Sequence, residues 1–255
     1  MKDEILKRPL VLYPISLALG LSVWEVIARA LPKAFLAPPS AVFGRLVTLT
    51  ADGSLPMALL GAMQHMVAGY LLAVIVAVPV GIVVGRSRTV ATAVEPILNA
   101  LYAIPPVALV PFFIIWFGLY FEGRVALVFA MCFFEILVNV LQGVRDIDRG
   151  LLDAARSLET RGLALYRKVV IPAASPFIFT GLRVGIGRAV NAMITAELFF
   201  AAVNLGKILK ASGNAFDTTT LFAVILVVSL FGLACQEGMR YVERLVIPWR
   251  HGRAA

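Results

Sequence analysis

The chain has 255 residues, 60% of them hydrophobic and 15% charged, with a mean hydropathy of +0.91 and a formal net charge of +8. An apolar share well above the roughly 45–50% of soluble domains excludes an ordinary water-soluble globule. The basic charge lies in clusters beside apolar runs, a pattern that orients membrane spans and argues against a nucleic-acid surface.

A helix needs about 20 apolar residues to cross a hydrocarbon core of about 30 Å. Six such windows occur, at 10–30, 57–85, 97–118, 125–141, 176–200 and 221–241. Lipid offers no partner to free backbone groups, so these windows imply an all-α, polytopic membrane helix bundle of about six transmembrane helices in a single domain over 1–255. The first window has no small-residue cleavage site before Pro32 and reads as a retained span. In LPKAFLAPPSAVF, Pro38 and Pro39 set an extended entry to a short amphipathic stretch, Ala41–Leu49, expected along the outer interface. The second span carries His65 near its outer end, read as an interfacial or helix-packing residue rather than a ligand, and the pair Gly81 and Gly85, whose spacing allows close helix approach.

The third span opens with AIPPVALVP. Pro105, Pro106 and Pro111 lack backbone donors, which predicts a broken or kinked helix that lines a pathway or serves packing alone. On the fourth span Glu135 and Asn139 are four apart and share a face. On the fifth, Arg188, Asn191 and Thr195 form a stripe, with Glu197 towards the outer end, where it lines the path or reaches the interface. Ionisable groups are costly in hydrocarbon and face an interior or a water-filled cavity. The candidate pathway residues are therefore Pro105, Pro106, Glu135, Asn139, Arg188, Asn191, Thr195 and Glu197. Close-approach glycines recur at Gly181, Gly185 and Gly187, and Cys132 and Cys235 read as reduced packing residues.

Six spans place fifteen Lys and Arg on one side, including Lys2, Lys7, Arg8, Arg250 and Arg253, against six on the other, including Lys33. That bias puts both termini in the cytoplasm. The sequence lacks GxxxxGK[ST], HExxH and GxSxG, and its two histidines, His65 and His251, supply no metal set. The chain reads as a non-catalytic membrane subunit that binds no cofactor or metal and does not hydrolyse ATP itself.

Between the fourth and fifth spans lies the most charged segment, about 146–172, containing LLDAARSLETRGLALYRKVVIP. Asp148 is placed to cap a helix from Arg149. DAARSLETRGLALYRKVVIP resembles the cytoplasmic EAA signature of membrane subunits of ATP-binding cassette (ABC) importers: EAA, three residues, Gly, nine residues, a hydrophobic residue, a spacer and Leu-Pro. Asp153, Ala154 and Ala155 stand at the EAA positions, and Val169, Ile171 and Pro172 close the pattern. Glu159 occupies the Gly position with Gly162 three residues on, and is expected to prolong the helix that Gly would end. LAPPSAVFGRL, HMVAGYLLAVIVAVPVGIVVGRSR, EPILNALYAIPPVALVPFFIIWFG and TGLRVGIGRAVNAMITAELF extend the likeness over Leu36–Tyr241, to the permease branch serving nitrate, sulfonates, taurine and bicarbonate.

The resemblance implies a type I ABC importer-like bundle in a bacterial inner membrane. It implies a second copy of the chain, two ABC ATPase subunits holding ATP and Mg, and a periplasmic or tethered solute-binding protein. The coupling residues would be Leu151, Leu152, Asp153, Ala154, Ala155, Arg156, Leu158, Glu159, Gly162 and Pro172. Small Ala154 and Ala155 would let the helix lie in a partner's groove, the leucines would give apolar contact, and Asp153 and Arg156 would pair with the partner's charges. The solute would be small and anionic, like a sulfonate, taurine or nitrate, with Arg188 suited to it. The alternative is a self-sufficient carrier coupled to protons or sodium through Glu135 and Glu197. Such carriers are often built from inverted repeats, which are not evident here.

Overall fold

A computed structural model of the chain describes residues 9–32 and 34–248. Lys2, Lys7, Arg8, Lys33, Arg250, His251 and Arg253 lie outside the described residues. Among the described residues every regular element is helical: α1 (Pro9–Ala30), α2 (Pro39–Ala51), α3 (Ser54–Arg86), α4 (Arg88–Tyr102), α5 (Val110–Phe117), α6 (Phe121–Arg145), α7 (Arg149–Ser157), α8 (Gly162–Leu165), α9 (Ile171–Phe199), α10 (Asn204–Asn214) and α11 (Thr218–Val246). Five helices are long and apolar enough to cross a membrane, and the pair 89–102 and 106–117 adds a sixth, broken candidate bent by 82°.

The break follows from proline chemistry. Pro105 and Pro106 cannot donate to a helix, and a residue before proline is pushed out of the α region. Pro105 accordingly sits at ψ 118°, a single 3₁₀ turn covers Pro106–Leu109, and α5 begins at Val110. The helix before the break starts at Arg88 rather than at the predicted 97, because Ser87 caps it through Val90 N (3.4 Å) and a polar first half is tolerated there. The predicted stretch 41–49 is contained in α2, which starts on Pro39, the favoured first-turn position for proline.

The chain divides into two compact units, Met1–Leu60 with Val203–Ser229, and Gly61–Ala202 with Leu230–Ala255. In the first, the Glu25 carboxylate accepts from Ser40 N (3.0 Å), Ser40 Oγ (2.7 Å) and Arg29 Nε (2.7 Å), so a side chain of α1 neutralises the amino end of α2. Asp217 caps α11 through Thr220 N (3.1 Å) and Thr220 Oγ1 (2.5 Å). Burial pushes its carboxyl up, but the two Thr220 bonds outweigh that and leave it below the usual carboxylate range.

The second unit is centred on the crossing of α6 and α9. Gly185 is what permits it: a Cβ there would come within 2.8 Å of Ile136 Cγ1. The GIVVG pair does the same between α3 and α6, where a Cβ on Gly81 would meet Val140 Cγ1 at 2.8 Å and one on Gly85 the Leu141 carbonyl at 2.9 Å. Apolar side chains close the remaining space, with Leu127, Ile136, Val140, Ala189 and Met193 all fully buried. His65 is buried 3.5 Å from the Met193 carbonyl, inside the packing, and Cys132 donates to the Gly185 carbonyl at 3.4 Å. Much of the apolar surface stays open, including Leu17, Leu19, Ile75 and Val83, as lipid-facing helices require.

Candidate functional site

Two regions of the second unit carry the candidate residues. The first is the segment joining α6 to α9. Asp148 Oδ1 accepts from Leu151 N at 3.0 Å, which satisfies one free donor at the start of α7. The helix then runs only to Ser157, because Glu159 takes a left-handed backbone (φ 54°) and stops it. Glu159 N bonds the Arg156 carbonyl at 2.9 Å and Thr160 N bonds the Ala155 carbonyl at 3.0 Å, the paired closure of a Schellman turn. The expectation that glutamate prolongs the helix is thus corrected: the carbonyls gained by the turn outweigh the steric cost of a Cβ at positive φ.

Two further expectations change. Ala155 is 8% exposed and turned into its own chain, so it offers no surface to a groove, whereas Ala154 stays open. Asp153 and Arg156 pair with each other at 3.0 Å, a contact of neighbours on one helix face, rather than standing unpaired. The free apolar surface is Leu151, Leu158 (80% exposed) and Leu163 (84%). Leu163 was absent from the sequence candidates; its place on the turn from Gly162 (φ 57°) into α8 brings it to the outside. Leu152 lines a recess of about 560 Å³ with Arg86, Arg145, Arg149 and Arg156, and Arg145 is tied to Glu95 at 2.9 Å.

Beyond Gly162 the chain is helical through to Phe199, so the end of the signature belongs to the root of α9 rather than to a surface helix reaching 172. One π turn, Tyr166–Val170, precedes Pro172 in the first turn of α9. Proline clashes with the carbonyl four residues back and lacks a donor, and a widened turn relieves both.

The second region is a cavity of about 150 Å³ beside the break, lined by Tyr102, Pro106, Met131, Phe134, Glu135 and Arg188 among others. Arg188 Nε donates to Glu135 Oε1 at 2.6 Å, and Tyr102 Oη donates to the same oxygen at 3.3 Å. The fourth and fifth spans are thereby linked through the groups whose charge makes them costly in hydrocarbon. Tyr102 was not among the sequence candidates, because nothing in its apolar surroundings marks its partner. Pro105 stands at the bend itself and Pro106 on the cavity wall.

The other candidates separate. Asn191 is exposed and Thr195 partly so, on the face of α9 that carries Arg188. Asn139 spends its amide on the Glu135 carbonyl at 2.7 Å, and Thr195 its hydroxyl on the Asn191 carbonyl at 2.9 Å. Glu197 is fully buried on the opposite side of the helix from Arg188, away from the stripe. No group of three or more His, Cys, Asp and Glu side chains is arranged to hold a metal among the described residues.

Comparison with known proteins gives the context. Residues 69–247 match the family described as binding-protein-dependent transport system inner membrane component. The chain is 34% identical over 239 residues to a putative ABC transporter permease protein of Methanocaldococcus jannaschii, covering 91% of this chain and 90% of that one. It is 30% identical to the taurine transport system permease protein TauC of Escherichia coli, covering 93% and 88%, and 29% identical to the nitrate import permease protein NrtB of Leptolyngbya laminosa, covering 73% and 67%. Among solved structures, an inward-facing form of the MetNI methionine ABC transporter superposes with a TM-score of 0.68 at 18% identity, over 77% of this chain and 98% of that one.

Proposed function

The chain belongs to the binding-protein-dependent transport system inner membrane components, and from that premise we propose how it works as the membrane-spanning permease of an ABC importer. ATPase subunits dock on α7, a second copy of the chain completes the path, and a solute-binding protein delivers the solute from the other side. ATP and Mg bind in the ATPases, this chain being non-catalytic. The membrane is a bacterial inner membrane, with both termini in the cytoplasm. Relatives named for taurine and for nitrate support a small anionic solute, sulfonate-like or nitrate-like. The self-sufficient carrier left open by sequence gives way to the family.

One observation carries the coupling role. α7 is closed at both ends, by the Asp148 cap and the Glu159 turn, and Leu151 on it, Leu158 just past its end and Leu163 in α8 all stay open. Exposed leucines on a short, rigid helix have no use in water, and they fit an apolar groove in a soluble partner. Because α7 follows α6 and leads through α8 into α9, a push on it is delivered to the two helices that carry Glu135 and Arg188. Closure of the ATPases would then rock the bundle about the broken helix.

Co-purification of the tagged chain with its ATPase tests this. Leu158→Glu is expected to abolish the complex with little effect on the fold of the permease, while Leu17→Gln on the lipid-facing side of α1 leaves the complex intact. Assembly that survives both Leu158→Glu and Leu163→Glu would end the docking reading.

A further inference from the structure

Resting on the importer reading, we propose that Glu135 and Arg188 form a two-point contact for a small zwitterion at the broken helix. The pair is joined at one point. The hydrogen bonds reaching the carboxylate, from Arg188 Nε at 2.6 Å and from Tyr102 Oη at 3.3 Å, both end on Oε1. Among the described residues Oε2 accepts no hydrogen bond, and Arg188 Nη1 and Nη2 donate none. A guanidinium and a carboxylate frequently pair fork to fork, using both oxygens and two nitrogens. Here half of each fork is left for something else.

Both residues line the space of about 150 Å³ beside Pro106, and the Arg188 side chain is 49% exposed although its carboxylate partner is nearly covered. The wall thus offers a carboxylate beside a guanidinium, with no net charge of its own. A plain anion reaching Arg188 is repelled by Glu135, and a plain cation reaching Glu135 is repelled by Arg188. A molecule with an ammonium at one end and an oxyanion two or three bonds away satisfies both forks at once. Its entry adds no net charge to a low-dielectric region, which removes the largest cost of carrying an ion across it. Aromatic and apolar neighbours, Tyr102, Met131 and Phe134, close around the short carbon link.

Glu135 is therefore a specificity residue: among the small oxyanion-bearing solutes of the proposed function, it favours those that also carry an ammonium over the simple anions that Arg188 alone would hold. The test uses the permease in complex with its ATPase in lipid nanodiscs, without the binding protein, so that only the membrane site selects. Two isosteric pairs serve as probes, 2-aminoethanesulfonate against 2-hydroxyethanesulfonate and 3-aminopropanoate against 3-hydroxypropanoate, with binding read from the concentration-dependent shift in thermal midpoint. In at least one pair the amino compound is expected to bind about tenfold or more tighter, since a site built to hydrogen-bond a group rejects the analogue lacking it. Glu135→Gln removes that preference, Arg188→Gln weakens both members, and Glu135→Asp, which keeps the charge, retains the preference at lower affinity. Equal binding within both pairs, no binding of any probe, or a preference that survives Glu135→Gln overturns the proposal. Co-purification of the ATPase in the same preparation reports the importer reading separately: a complex that forms without the preference sinks the zwitterion site alone, and a complex that never forms sinks both.

Discussion

Glu159 holds a left-handed backbone at φ 54°, which costs a residue with a Cβ roughly 1–2 kcal/mol. Glycine meets no such cost, though it gives back part of the gain through the freer unfolded chain. Glu159→Gly is therefore expected to raise the stability of the purified permease by about 0.5–1 kcal/mol, seen as a higher thermal midpoint with assembly unchanged; a lower midpoint would mean that the Glu159 side chain contributes more than the turn costs. The position itself was legible in the sequence, since the spacing of the signature marked 159 as the place where glycine would end the helix, although glutamate there was expected to prolong it. Its conformation was not, because helix propensity weighs a single residue, whereas the two hydrogen bonds that fix Glu159 arise only when the following chain turns back. The same limit hid the polar centre. Glu135 and Arg188 were each marked as charges in apolar runs, but their bond joins residues 53 apart in sequence, and Tyr102 carries no local sign of belonging to them.

At the scale of elements, the apolar windows foretold five of the long helices to within a few residues at most ends, because length and hydropathy decide what can cross a bilayer. The root of α9 was missed: a window search stops at charge, so Arg167 and Lys168 read as surface although the helix runs on through them by one widened turn. The glycine spacings did foretell where helices touch. At the α6–α9 crossing there is no room for a methyl group, so Gly185→Ala is expected to cost about 1–3 kcal/mol through overpacking. Ile136→Val in the same chain should recover part of that loss, because it removes Cδ1, which the added Cβ would meet at 3.0 Å, and leaves Cγ1 as a terminal methyl that can shift aside. Thermal midpoints of the two single variants and the double variant check this; strictly additive losses would show that Gly185 and Ile136 do not compete for the same space.

For the whole molecule, the question that composition raises is how many times the chain crosses. Five unbroken helices alone would leave the two ends on opposite faces, and the bent pair 89–102 and 106–117 decides the parity. Counting it as one crossing gives six, the number that agrees with the proposal, drawn from the charge bias, that both ends are cytoplasmic. A green fluorescent protein fused after Ala255 is then expected to fluoresce, and alkaline phosphatase fused after Asn214 to be active. The reverse pair of results would make the bent segment a re-entrant loop and turn the latter half of the topology over.

Helix α3 carries a mechanical corollary. Ser54–Arg86 has 33 residues, so at about 1.5 Å each it measures about 50 Å against a hydrocarbon slab of about 30 Å. Tilt alone absorbs so large an excess only at angles beyond the usual range of about 0–40°, so part of the rod stands in water beyond the slab. Such a rod is a lever with its fulcrum in the lipid: a swing of about 10° around its midpoint carries each tip about 4 Å in opposite senses. A displacement too small to open anything at the fulcrum becomes, at the tips, comparable to the width of a solute.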